Sequence, residues 1–266
     1  MSERFGAVYE SVEIIDEWAE AFKADKPQRV FVVHGDADVV PKFVADLENL
    51  GYTAHAPMYT EEYDLLTDKY FTKCEASLYG DTANRSFGLN NALMIAFAFA
   101  GAYHHIILMH SSVTMYKGGG HLFLGKSGTG KSTHSKGWLK YIEGTELLND
   151  DNPALRYLPE TDEVKVYGTP WSGKTPCYKN QSVPVRAVVR LEQYPENIIR
   201  RESTLPSFAS VLSSTSTMIW DKASYKKICE TISNIVRHVP TFYLKCLPDE
   251  AAVRMSSEAI DAYYKK

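Results

Sequence analysis

One octapeptide constrains this chain more than any other feature: Gly125-Lys126-Ser127-Gly128-Thr129-Gly130-Lys131-Ser132, set between the apolar triplet at 122–124 and a helical stretch at 132–141. It fits G-x-x-x-x-G-K-[ST] at every position. Glycines let the backbone curl until successive N–H groups face one concavity, where they hold phosphate oxygens. Lys131 is placed to reach the β- and γ-phosphates of a bound triphosphate and Ser132 to meet Mg²⁺. The helix that follows adds its positive N-terminal end. Gly125, Ser127, Gly128, Thr129, Gly130, Lys131, Ser132 and Thr133 are therefore the expected nucleotide-binding residues, with ATP and Mg²⁺ as cofactors. A glycine-rich surface turn would share the letters but not the strand–loop–helix context.

The rest of the chain reads as α/β. Residues 11–23 carry apolar side chains at helical spacing, 29–34 read as a buried strand, and 41–50 as a helix closed by Gly51. Residues 58–87 give no clear pattern. A long apolar helix is expected at 89–103, then strands at 106–109, 113–116 and 122–124, the last two joined by the turn-forming Lys117-Gly118-Gly119-Gly120. Further strands are expected at 146–148, 154–158, 164–167, 183–191 and 242–246, with helices at 206–212, 225–237 and 249–264. These patterns suggest a small N-terminal α/β region, residues 1–87, ahead of a larger domain, residues 88–266.

A triphosphate site needs an acidic group to complete the metal shell. Asn149-Asp150-Asp151-Asn152 supplies two carboxylates at the end of a short apolar strand, which the intervening helix would return beside the glycine-loop strand. Adjacent carboxylates at a strand end point in different directions, so one can meet a metal while the other handles a proton. An Asx-rich turn before Pro153 fits the same residues.

Together, Met109-His110-Ser111-Ser112, residues 122–133 (LFLGKSGTGKST) and residues 147–156 (LLNDDNPALR) resemble the catalytic domain of the HPr kinase/phosphorylases. That family shares a superfamily with the ATP-dependent phosphoenolpyruvate carboxykinases. A group of HPr-kinase-like proteins shares residues 167–177 (YGTPWSGKTPC) and 185–191 as well. The resemblance spans roughly residues 85–250 and implies a P-loop domain with a mixed, strand-rich sheet and flanking helices. It also implies a kinase passing the γ-phosphate of ATP to a hydroxyl. Asp150 would be the base, Asp151 the metal contact, and His110 a group that orients or tunes Asp150; a satisfied core histidine is the plainer reading. Thr133 stands where HPr kinases have Glu, and their phosphorolysis loop has no counterpart, so dephosphorylation and HPr as substrate are not expected. A carboxykinase is about twice as long, with metal and carboxylate ligands that do not map here.

Composition sets outer limits. The chain has 266 residues, 33 acidic against 29 basic, and a net charge of -4. With a pI near 6.1 it is not built to grip nucleic acid. No apolar run approaches the ~20 residues a membrane span needs, so a cytoplasmic protein is expected, and a homo-oligomer is allowed for. The four cysteines are far apart and read as buried thiols. Trp171 and Lys174, in the loop at 168–174, and Arg186 are candidate substrate contacts; Arg190 is a further spare cation. The pattern His34-Gly35-Asp36-Ala37-Asp38 resembles a metal site but also a helix cap. The acceptor is a protein or a small molecule. The rival reading is a nucleotide-binding regulator without transferase activity.

Overall fold

Short β-branched and aliphatic runs separated by Gly, Asn and Asp turns give the described part of this chain thirteen strands, most of them short. The computed structural model describes residues 30–31, 54–55, 63–78, 82–173, 175–219 and 221–265. It divides into two compact units, Met1–Leu66 with Cys74–Ala92, and Thr67–Lys73 with Leu93–Lys266. In the first, β1 (Val30–Phe31) pairs in parallel with β2 (Ala54–His55). Strands β3 (Tyr63–Thr67) and β4 (Cys74–Leu78) form a two-stranded sheet. The helices expected at 11–23 and 41–50, and the His34–Asp38 pattern, lie outside the described residues. Helix α1 (Thr82–Ala102) starts earlier than its apolar stretch suggested.

The second unit is a branched, mixed sheet with helices on both faces. Its path runs β5 (Ile106–Leu108), β9 (Ala154–Leu158), β10 (Glu163–Tyr167), β11 (Ser182–Gln193), β7 (Gly119–Leu124), β6 (Ser111–Tyr116) and β8 (Glu146–Asn149). The branch is at β11. Its first residues pair with β10, while Val188–Gln193 pair in parallel with β13 (Thr241–Cys246) along the same edge. Strand β12 (Ile198–Arg201), which the sequence pattern did not reveal, pairs with β13.

Successive strand residues face opposite sides, and Leu122-Phe123-Leu124 shows the consequence. Leu122 and Leu124 pack with Val113, Leu148 and Val188 beneath Val211 of α3 (Thr204–Leu212) and Ile228, Ile232 and Ile235 of α4 (Lys222–His238). Phe123 packs the other way, with Ala187, Val189 and Leu244, against Trp138 of α2 (Lys131–Tyr141) and Val253 and Ile260 of α5 (Glu250–Tyr264). With both faces covered, β7 is buried along its whole length, which is why Leu122-Phe123-Leu124 are all apolar and do not alternate with polar residues. Helices α4 and α5 are each capped by an aspartate: Asp221 accepts from the Ala223 N–H, and Asp249 from the Ala252 N–H. The expectation of buried thiols holds for Cys177 alone: Cys229 and Cys246 are half-buried, and Cys74, on the two-stranded sheet, is exposed.

Two histidines are locked in the α2 face. The hydroxyl of Ser256 on α5 donates to the Val253 carbonyl (2.8 Å) and accepts the Trp138 indole N–H (3.0 Å), so the His134 Nε2, also 3.0 Å away, must be a donor. Burial pushes the His134 pKa down to about 4. Burial, helped by the Arg186 charge, does the same to His121. Both rings are therefore neutral when folded and take up protons near 6.5 only when unfolded. Stability is complete above pH 6.5 and falls as pH drops towards 4, by about 1 kcal/mol per pH unit for each histidine. Thermal melts should show a midpoint flat near pH 7 and falling below 6.5, and His134→Gln should flatten that fall relative to the parent. An identical slope in the variant would remove His134 from the account.

Candidate active site

Three strand ends meet at one edge of the second unit's sheet. β6 runs antiparallel to β7, with Ser111 opposite Leu124, and antiparallel to β8, with Val113 opposite Asn149. β7 and β8 consequently point the same way, and both finish where β6 begins. The expectation that the acidic strand lies beside the glycine-loop strand is corrected here: β6 intervenes, because the 117–118 turn folds β6 back along the edge β8 would have taken. The carboxylates still arrive at the right end.

The glycine loop leaves β7 at Gly125 and becomes α2 at Lys131. Gly128 (φ 77°) and Gly130 (φ 105°) take left-handed conformations that L side chains resist, which is what the curl requires. Gly130 caps α2 with no side chain of its own, so the first-turn N–H groups at Lys131 and Ser132 lack helical partners and face outward. Within the loop, Thr129 N–H donates to the Lys126 carbonyl (3.1 Å), and the Gln193 side chain donates to the Gly128 carbonyl (3.1 Å). Lys131 is buried, its ammonium folded onto the Gly125 and Lys126 carbonyls at 3.0 and 3.3 Å. Burial lowers its pKa, opposed first by Asp151 and then by Asp150. Ser127 and Thr133 are exposed and Ser132 half-buried.

The two aspartates have different surroundings. Asp150 accepts the Ser112 hydroxyl on Oδ1 (2.6 Å) and the Thr175 hydroxyl on Oδ2 (2.5 Å). Asp151 has His110 Nε2 3.5 Å from Oδ1 and accepts the Asn152 amide on Oδ2 (3.0 Å). His110 therefore borders Asp151 and not Asp150, a correction to the expected pairing. Burial and the Lys131 charge hold His110 below its ordinary pKa against the pull of Asp151, so the ring is neutral near pH 7. The turn itself is fastened by Asp151 N–H to Asn149 Oδ1 (2.9 Å) and by the Asn149 amide to Thr169 Oγ1 (3.1 Å).

The loop after β10 closes over this turn. Asn152 N–H donates to the Trp171 carbonyl (3.0 Å), and Trp171 packs on Phe97 and the Met94–Leu108 cluster. Trp171 is thus an anchor of the loop. A Cβ on Gly173 would lie 3.0 Å from that of Asp151, so the loop backbone runs directly against the carboxylate. Lys174 lies outside the described residues. Arg186 is displaced from its expected role. It sits between the register positions Gly120 and His121, at the opposite end of β7 from the glycine loop, with its guanidinium 3.6 Å from the Tyr264 ring centroid. Arg190, opposite Leu124, is the arginine of β11 nearest the loop, and it donates to Ser213 (2.7 Å).

Sequence reasoning passed over Ser112, Ser135 and Thr175. Ser135 has one available signal: it stands four residues after Lys131, on the same helical face. The donors present suit Mg²⁺, which takes one or two carboxylates and completes its shell with phosphate oxygens and water. Among the described residues no cluster of three or more His, Cys, Asp or Glu could bind a metal by itself, and no helix is long and apolar enough to cross a membrane.

No protein-family model matches the chain, and no curated protein matches it in sequence. Among solved structures, the HPr(Ser) kinase/phosphatase from Coxiella burnetii bears a distant likeness, with 14% identity and a TM-score of 0.34 over 59% of this chain and 94% of that one. A likeness that distant carries nothing about residue roles. The stacking makes its own forecast: Arg186→Ala should cost about 0.5–1 kcal/mol of stability through the lost contact with Tyr264. Thermal melts of the variant and parent would check this; an unchanged midpoint would show that the guanidinium does not anchor that end of β11.

Proposed function

We propose that this protein is an ATP- and Mg²⁺-dependent phosphotransferase of the HPr kinase-like kind, passing the γ-phosphate to a hydroxyl of a protein or small molecule. The observation that carries this is the buried Lys131 ammonium, set in a glycine loop that leaves β7 at the same end of the sheet where β8 delivers Asp150 and Asp151. A turn serving only the fold has no need of a buried cation facing an acidic pair. All these residues belong to the Leu93–Lys266 portion, to which we assign the chemistry.

The loop amides from Gly125 to Ser132, with Thr133 at the helix surface, would receive the phosphates, and Lys131 would turn from the loop carbonyls onto their oxygens. Ser132 and Asp151 would hold Mg²⁺, which neutralises charge developing on the transferred group. Asp151 is favoured for this because both Asp150 oxygens already accept a hydroxyl, whereas Oδ1 of Asp151 has only the His110 ring, at 3.5 Å. Asp150, held by two hydroxyls, accepts the proton as the acceptor oxygen attacks the γ-phosphorus in line and the bond to ADP breaks. His110, neutral and beside Asp151, orients the metal side of the pair. The loop at 168–175 would face the acceptor.

Lys131→Ala should lower ATP binding and phosphoryl transfer by at least about 100-fold with an unchanged circular dichroism spectrum. Asp150→Asn should bind Mg·ATP and lose turnover. Binding can be read by calorimetry, and transfer by radiolabelled ATP offered separately to lysate proteins and metabolites. Full activity in Lys131→Ala would sink the assignment. Loss of binding in Asp150→Asn would exchange the roles of the two aspartates. Nucleotide binding with no transfer to any acceptor would favour the regulator.

A further inference from the structure

Asp150 is not an isolated carboxylate at the end of β8; it is the middle of a hydroxyl chain joining the glycine-loop helix to the loop after β10. Ser112 gives its one hydroxyl proton to Asp150 Oδ1 at 2.6 Å. The contact of 2.5 Å between Ser112 Oγ and Ser135 Oγ must then have Ser135 as donor. Both serines are wholly buried, so water cannot substitute for either partner. Ser135 lies one turn after Lys131 on α2, and the far carboxylate oxygen accepts from Thr175, two residues beyond Gly173. The direction is uniform: Ser135 to Ser112 to Asp150, with Thr175 closing from the other side.

Three hydroxyls is more than a structural turn needs. Buried side-chain hydroxyls commonly cap backbone carbonyls in place, as Ser256 does on α5. Ser112 and Ser135 instead spend their hydrogen bonds on one another and on a carboxylate. We infer that Ser112, Ser135 and Thr175 are positioning residues that orient Asp150 and make its orientation depend on both the glycine-loop helix and the 168–175 loop. The inference rests on the kinase reading and extends it. Ser135 transmits the seating of α2, which nucleotide binding sets, and Thr175 transmits the seating of the acceptor-side loop. Charge-assisted hydrogen bonds to both oxygens fix the carboxylate plane, and a general base displaced by about 1 Å can lose two orders of magnitude in rate.

The test uses the full-length protein with Mg²⁺ and either ATP or a non-hydrolysable analogue. Thr175→Val, which keeps shape and removes the hydroxyl, should lower kcat about 10- to 100-fold with the KM and Kd for ATP within about twofold, and Thr175→Ser should restore most of it. Ser112→Ala and Ser135→Ala should each lower kcat, and the double variant should be no worse than Ser112→Ala alone, because Ser135 reaches Asp150 only through Ser112. Additive losses, or a Thr175→Val enzyme with parental kcat, would overturn the inference. Hydrogen exchange supplies a readout independent of transfer. The Mg·analogue should slow amide exchange at 125–135 and at 168–177 in the parent, and only at 125–135 in Thr175→Val. Protection of both segments in that variant would also overturn it. No protection at 125–135 in the parent would instead remove the nucleotide site, and this inference with it.

Discussion

The site depends on β6 lying antiparallel between β7 and β8. That arrangement brings one strand start and two strand ends to a single edge, so that His110, Gly125 and Asp150 become neighbours although they are 15 and 25 residues apart in sequence. The ladder does not stop at the strand ends. Ser111 N–H donates to the Asp151 carbonyl (2.9 Å), Met109 N–H to Pro153 (3.1 Å) and His110 N–H to Ser214 (2.7 Å). The first two bonds hold the acidic turn by its backbone, beside the fastening through the Asn149 side chain, and the third ties His110 to the segment after α3.

Strand alternation then divides the labour. In an antiparallel pair, directly opposed residues share a face, so Ser112 lies with Phe123 on the side of α2, while Val113 lies with Leu122 on the side of α3 and α4. A hydroxyl at position 112 of an otherwise apolar core would be costly without a partner. Its partners are Ser135 and Asp150, so the polar link between α2 and the acidic turn passes through the sheet edge itself. A one-residue slip of β6 would bury Val113 against Ser135 and break that link.

The glycine loop was legible because its constraint is local: phosphate-binding backbone needs positive φ at fixed spacing, and only glycine meets it cheaply. The central strands were legible for the same kind of reason, since the apolar triplet Leu122–Leu124 of β7 and the β-branched stretch of β11 signal strands locally. What was not legible is set by distance. Nothing near residue 147 says that β8 pairs with β6 and not β7. Arg186 and Arg190 look equivalent on one strand, yet register places one between Gly120 and His121 and the other at Leu124, towards opposite ends of β7. Strand β12 was missed because its residues are mostly exposed and its pairing partner, β13, lies more than forty residues on. Ser112, Ser135 and Thr175 are ordinary hydroxyls until the fold converges them on Asp150.

On the kinase reading proposed above, the electrostatics of the edge call for a divalent cation. Lys131 is a buried cation held by two loop carbonyls, at the same end of the sheet as the acidic pair. A triphosphate brings several negative charges to within reach of Asp150 and Asp151, where reduced solvent exposure strengthens repulsion relative to bulk water. One lysine, the loop amides and the start of α2 balance only part of that charge. Ser132 and Asp151 would hold Mg²⁺, whose charge would offset the repulsion at the second aspartate and leave Asp150 available for a proton. The mild net charge of -4 is no obstacle to such a site, because backbone dipoles and one ion supply locally what the chain as a whole lacks.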